Sequence, residues 1–261
     1  MDKVYKFALN AGHGLHTAGK RVPRELDPKE TREWQLNSRI CDKITALLQG
    51  YTGWEMLRLD DPTGAVDAPL EERTDAANAW GAQEYYSVHH NANEGRPWNG
   101  GGIAVYVYTN ASAAAKAMQS QLYEALIRNT GLKGNRATPL GTANFHELRE
   151  TKMPAVLMEL GFMDSRVDAP IILTEEYADQ CAAAIAEIIV QRGRLKPKAT
   201  TPYLVRVTAQ ELNVRAGAGT IHKIVTQVKK GEVYTIMETV NGWGRLKSGL
   251  GWISLRYCEE L

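Results

Sequence analysis

Cysteine is scarce in this 261-residue chain: Cys41, Cys181 and Cys258 are odd in number and far apart. That excludes a disulfide framework, and the spacing excludes a paired-cysteine metal site. Cys41 and Cys181 fall on apolar faces of expected helices, where a free thiol packs as a small hydrophobe. Such usage suits folding in a reducing compartment. No stretch approaches the ~18 apolar residues of a membrane span. Met1-Asp2-Lys3-Val4-Tyr5-Lys6-Phe7 has neither the apolar core nor the small-residue cleavage site of a secretory signal. An excess of one charge is missing too. Lys plus Arg total 31 against 30 Asp plus Glu, a net charge of +1, so the chain carries no broad field for nucleic acid or acidic lipid. The expectation is a chain made in the cytoplasm, with no transmembrane segment and no nucleic-acid partner.

What is present is ordinary in bulk. Hydrophobic residues at 44% and charged residues at 23% are globular values, in a chain long enough for one large core plus a small module. Up to about residue 190, short apolar runs alternate with helical periodicity. Val4–Leu9, Trp54–Leu59, Tyr85–His89, Ile103–Tyr108 and Ala155–Leu160 read as strands. Those around Val105 and Val156 are almost wholly apolar, as strands covered on both faces are. Leu36, Ile40, Ile44 and Leu47/Leu48 repeat at helical spacing before Gly50. Ala114, Met118, Leu122 and Leu126 do so between Ser112 and Gly131, and Tyr177, Cys181, Ile185 and Ile188 form a third set. This alternation predicts an α/β fold, a mixed, mostly parallel sheet with helices on both faces. Gly193 to Pro202 reads as a linker, leaving 1–192 as one domain. Residues 203–261 carry short β-type runs between glycine turns, a compact all-β module.

Chemistry concentrates in a few places. His13, in Asn10-Ala11-Gly12-His13-Gly14, follows a strand, and the flanking glycines leave room beside an imidazole. Strand termini are where open α/β sheets place ligand groups. His89 and His90 are adjacent, so on a strand they point to opposite faces and cannot easily share one metal. Glu33 opens a helix, with Glu25, Asp27 and Glu30 as competing carboxylates nearby. Glu159 lies among Val156, Leu157, Met158, Leu160 and Phe162, where a carboxylate is costly unless paired or working, and where its pKa rises toward neutrality. Two imidazoles and a carboxylate can hold Zn²⁺ and leave a position open.

These segments resemble the zinc-dependent N-acetylmuramoyl-L-alanine amidases that include bacterial cell-separation enzymes and many phage endolysins. The resemblance runs from about residue 4 to 192, with its pieces in order. They are Ala-Gly-His-Gly, a Glu-x-x-x-Asn helix start at Glu33 and Asn37, Ser-Val-His-x-Asn-Ala ending at Ala92, and Pro-Ala-Val-Leu-x-Glu-x-Gly-Phe ending at Phe162. Leu70, Arg73, Ala77 and Asn78 match the helix before the second histidine. The resemblance implies one zinc per chain held by His13, Glu33 and His89, with Glu159 as the catalytic base. The bond cut would be the amide between the lactyl group of N-acetylmuramic acid and L-alanine, in peptidoglycan. It leaves His90 and Asn91 as candidate substrate contacts, with packing an equal alternative for His90. Arg73 and Asn78 are read as structural, and His16 and His146 are left out of the metal set.

Residues 203–261 resemble the bacterial SH3-like barrel of wall hydrolases, on Leu212-Asn213-Val214-Arg215-Ala216-Gly217, Lys230-Gly231, Asn241-Gly242-Trp243 and Gly251-Trp252-Ile253. Arg215 and Trp243 are its candidate wall contacts, and Trp252 its expected core tryptophan. The setting implied is endolysin-like: cytoplasmic synthesis, a holin-type partner that opens the membrane, and action on the wall. The alternatives are a zinc carboxypeptidase or aminopeptidase, for which no terminal-carboxylate motif is found, and a non-catalytic wall binder.

Overall fold

Alternating strand and helix signals become, in chain order, β1 (Tyr5–Ala11), α1 (Glu33–Leu48), β2 (Tyr51–Thr52), β3 (Trp54–Arg58), α2 (Leu70–Trp80), β4 (Glu84–Asn91) and β5 (Ile103–Tyr108). They continue as α3 (Ala113–Thr130), β6 (Leu140–Ala143), α4 (His146–Arg149), β7 (Ala155–Phe162), α5 (Ala169–Ile172) and α6 (Glu175–Gly193). This computed structural model describes residues 4–198, 201–240 and 242–261. Met1–Lys3 of the N-terminal reading, Ala199 and Thr200 of the linker, and Asn241 of the Asn-Gly-Trp signpost lie outside the described residues. The chain divides into two compact units: Met1–Ile44 with Trp54–Gly193, and Thr45–Gly53 with Arg194–Leu261.

Local chemistry sets the helix ends. The Ser112 side chain caps α3 by accepting from the Ala115 N–H, and Gly131 closes it in the left-handed conformation at φ 70°. The sheet of the first unit runs β3-β1-β4-β7-β5-β6. β3, β1, β4 and β7 are mutually parallel, whereas β5 joins β7 antiparallel and carries β6 parallel to itself. Both faces are covered, as expected. Ala8, Tyr85, Ala155 and Leu157 pack with Ala77 of α2 and Leu148 of α4. On the opposite face the Tyr177 hydroxyl of α6 donates to the Leu160 carbonyl, and α3 packs on α6. Strand alternation therefore puts Asn10, Ser87, His89 and Glu159 on the α2–α4 face, and Tyr86, Val88 and His90 on the other.

One charge pair, with Glu84 buried and Arg192 half-buried, belongs to this frame. The Glu84 carboxylate, 6% exposed, accepts from Arg192 Nε at 2.7 Å, from the Tyr86 hydroxyl at 2.6 Å and from the Tyr5 hydroxyl. No helix among the described residues is long and apolar enough to cross a membrane.

In the second unit, β8 (Lys196–Pro197) pairs antiparallel with Tyr51–Thr52. β9 (Tyr203–Val207), β10 (Glu211–Arg215), β11 (Ile224–Lys229), β12 (Val233–Val240), β13 (Trp243–Leu246), β14 (Trp252–Ser254) and β15 (Cys258–Glu260) form a seven-stranded sheet, ordered β11-β10-β14-β13-β12-β9-β15. Val205, Val207, Leu212, Val214, Val228, Ile236, Leu246 and Ile253 build its core. Trp252 is a correction. It is half-buried, because alternation along β14 turns Ile253 inward and Trp252 away.

Candidate metal centre

β1, β4 and β7 lie side by side and parallel, so their carboxyl ends converge. His13 stands two residues past β1, with its backbone in the left-handed region at φ 68°, a conformation uncommon for a residue with a Cβ. Beside it, the Gly12 N–H bonds to the Val88 carbonyl at 3.0 Å. Space at Gly12 is also needed by the His89 imidazole. A Cβ there would lie 2.0 Å from Cε1 of His89. The glycine admits the second histidine.

Glu33 is the first residue of α1 and is 1% exposed. Its Oε1 lies 3.1 Å from His89 Nδ1 and 3.4 Å from His13 Nε2, and accepts from the His90 N–H at 3.2 Å. Its Oε2 lies 3.6 Å from Lys20 Nζ. The four-residue step to Asn37 has a physical reason: both residues share one helix face. The Asn37 amide donates to the Gly12 carbonyl at 3.1 Å and its oxygen meets His90 Nδ1 at 2.8 Å. Asn37 thus fastens α1 to the histidine loop and to β4.

One ligand atom each from His13, Glu33 and His89 lie within 4.8 Å of one another. Burial opposes ionisation of Glu33, but the hydrogen bond and charge of His89, with His13 and Lys20, outweigh it and hold the carboxyl at about 2. Burial presses His13 down to about 4. For His89 burial also acts downward, yet Glu147 and Glu33 overcome it and lift the imidazole to about 10. Glu159 is the parallel-strand partner of His89. Burial raises its carboxyl to about 7, and its Oε2 is buried with no hydrogen-bond partner among the described residues.

The profile of the N-acetylmuramoyl-L-alanine amidase family matches residues 8–191, and that of the bacterial SH3 domain residues 210–259. The chain belongs to the N-acetylmuramoyl-L-alanine amidase family. This amidase is 33% identical over 220 residues to the sporulation-specific N-acetylmuramoyl-L-alanine amidase of Bacillus subtilis, covering 84% of this chain and 79% of that one. It is 30% identical over 193 residues to the endolysin of Bacillus phage SPP1, covering 73% and 66%. An N-acetylmuramoyl-L-alanine amidase structure from Clostridium difficile 630 shares its fold at a TM-score of 0.64 and 23% identity, over 72% of this chain and 96% of that one. The amidase is a peptidoglycan hydrolase carrying a C-terminal SH3-type domain.

The other sequence candidates separate. The His90 side chain is buried on the α1 face and bonded to Asn37, which fits the packing alternative. Asn91 is half-buried at the end of β4, and its side-chain oxygen accepts from the Ala92 N–H. His146 Nε2 meets the Thr74 hydroxyl at 3.2 Å, and His16 is exposed. Arg215 donates to the Thr220 and His222 carbonyls, and Trp243 is half-buried on β13.

One residue escaped the sequence reading. Glu147 of α4 is buried, with Oε2 3.6 Å from His89 Nε2. Nothing in Phe145-His146-Glu147-Leu148-Arg149 flags it, because its neighbours are tertiary.

Proposed function

We propose that this amidase cuts the lactyl–L-alanine amide of peptidoglycan with one zinc ion held by His13, Glu33 and His89, and with Glu159 as its proton carrier. The observation that carries this reading is the convergence of three donors, from a loop, a helix start and a strand end, within 4.8 Å. Two imidazoles and one carboxylate suit zinc and are too few to close a tetrahedral site. Glu33 Oε1 lies against both rings, 3.1 Å from His89 Nδ1 and 3.4 Å from His13 Nε2. Zinc there would supply Lewis-acid activation of water and of the amide carbonyl.

The residues do the remainder. Glu33, ionised far below neutrality, contributes permanent negative charge. Lys20 faces its outer oxygen and Asn37 keeps its helix in register with the histidine loop. Glu159, with a carboxyl near 7 and one unpartnered oxygen, can accept a proton from the attacking water and return it to the departing alanine nitrogen. Its place beside His89 on the neighbouring strand keeps it next to the ligand set without joining it.

The test is digestion of purified sacculi with mass spectrometry of the new chain ends, together with metal analysis. His13→Ala, Glu33→Ala and His89→Ala should each remove most of the zinc. Glu159→Gln should stay folded and zinc-loaded with turnover down ~10²–10⁴-fold. Full zinc in all three ligand variants, or wild-type turnover without Glu159, refutes the assignment.

The setting we propose is that of an endolysin, supported by likeness to a phage endolysin and by the SH3-type domain. It reaches the wall with a holin-type partner, and the second unit binds wall glycan or peptide. Trp243 is the better contact there, since the Arg215 guanidinium already braces its own turn. Likeness to a sporulation amidase favours mother-cell lysis as the second reading.

A further inference from the structure

We infer that Glu147 is a positioning residue for the metal centre, a buried carboxylate that faces His89 at ion-pair distance from behind and favours the orientation with Nδ1 toward the zinc site. This rests on the zinc assignment above. The His89 ring sits between two carboxylates, one at each nitrogen. Nδ1 is 3.1 Å from Glu33 Oε1, and Nε2, buried and without a hydrogen-bond partner among the described residues, is at ion-pair distance, 3.6 Å, from Glu147 Oε2. Glu147 lies on the side of the ring away from Glu33, and it is not among the three converging donors. It therefore acts on the metal through the histidine.

The carboxylate is pinned in place. Its Oε1 accepts from Asn10 Nδ2 at 2.7 Å and from the Tyr85 hydroxyl at 2.5 Å, and its Oε2 accepts from the Ser87 hydroxyl at 3.2 Å. These donors come from β1 and β4, the strands that lead to His13 and His89. Asn10 is itself held by Arg73, whose Nη1 donates to Asn10 Oδ1 at 2.5 Å and to the Ala11 carbonyl at 3.1 Å. Glu147 is 4% exposed and borders the apolar cluster of Tyr85, Ala77 and Leu148. A glutamate in that place is costly unless it is paired and used. Asn10, Tyr85 and Ser87 thus give the carboxylate three hydrogen-bond donors. A carboxylate at the far nitrogen of a metal-binding histidine fixes tautomer and ring orientation, and losing one costs typically 10–100-fold in metal affinity.

The experiment uses the full chain and Zn²⁺ itself, with competition against a chromophoric chelator. Glu147→Gln keeps the shape and loses the charge. Its zinc affinity should fall about 10–100-fold, while urea unfolding confirms a folded metal-free protein. Long-range nitrogen-15 spectra of the zinc-loaded parent should show His89 metallated at Nδ1 and protonated at Nε2. If Glu147→Gln lowers only the unfolding midpoint and leaves zinc affinity unchanged, Glu147 is merely structural and the inference falls. Metallation through Nε2 overturns it as well. His89→Ala separates the two levels: retained zinc in that variant would sink the metal-centre reading itself. Lost zinc there, with unchanged affinity in Glu147→Gln, would sink only this inference.

Discussion

Gly12→Ala is a one-carbon change that should disable the metal centre without touching a ligand. The added Cβ would sit 2.0 Å from His89 Cε1 and 2.4 Å from both ring nitrogens. Carbon atoms in contact prefer ~3.5–4.0 Å, so the ring or the loop must move by about 1.5 Å. The ring has little room, with Glu33 at one nitrogen and Glu147 behind the other. Zinc–ligand distances tolerate about ±0.2 Å, so a shift several times larger removes His89 as a ligand. Zinc affinity should then drop beyond the ~100-fold upper range seen for supporting residues. The metal-free fold should lose only the ~1–3 kcal/mol typical of overpacking. Gly14→Ala is the control. The nearest atoms its Cβ would meet are backbone atoms of Asp67 and Gly64, at 3.1 Å and 3.2 Å, so zinc binding should persist. Chelator competition reads the affinities and urea unfolding the stabilities. If Gly12→Ala binds zinc within two-fold of the parent, the account of His89 seated against a missing Cβ is wrong.

Zinc uptake by the metal-free protein should release close to one proton at pH 8.5, because His89 stays protonated there (about 10) and must be neutral to bind; calorimetry in two buffers of different ionisation enthalpy measures it, and no release refutes the elevated imidazole. The same raised value means that His89 stabilises the metal-free fold fully below its ordinary 6.5, with the stabilisation lost as pH rises through about 10; a urea midpoint unchanged from pH 6 to 10.5 would contradict this. Arg192→Gln strips the cation from buried Glu84 and should cost about 3–5 kcal/mol of unfolding free energy, with a loss under 1 kcal/mol arguing against a desolvated pair. A chain truncated after Lys198, which keeps the β8 partner of Tyr51–Thr52, should still cut soluble muropeptides while losing retention on isolated walls; undiminished wall binding would take that role from the second unit.

Elements long enough to show a period were legible in the sequence. Ser112 and Gly131 bracket α3 as capping chemistry demands, and the two nearly all-apolar strands are the buried β5 and β7. The mixed character of the sheet was expected, yet which strand reverses was not, since β5 and β7 look alike and orientation depends on the connections. β6 and β8 are too short for any pattern. At the site, His13, Glu33, His89 and Glu159 could be named because each sits in a local motif. Glu147 could not, since its significance comes from a strand distant in sequence. The choice of His89 over His90 followed from alternation plus motif, and the structure supplies its cause: one ring faces Glu33 and Glu147, the other is turned to Asn37.

With the proposed ion bound, the three converging donors would also act as a clasp on the chain. His13 and Glu33 flank the long connection from β1 to α1, which holds few residues of regular structure, and Glu33 and His89 stand 56 positions apart. An ion joining all three ties the two ends of that connection to each other and to the middle of the sheet, which restricts the unfolded chain as a cross-link does. If zinc is held there as proposed, chelation would do more than silence a catalyst. It would also loosen the segment between His13 and Glu33, which is otherwise held by buried Val22, the Arg21–Arg32 bridge and the bonds from Leu15 to Gly64 and from Thr17 to Asp67. A protease nick there is the mark such a loosened connection would leave.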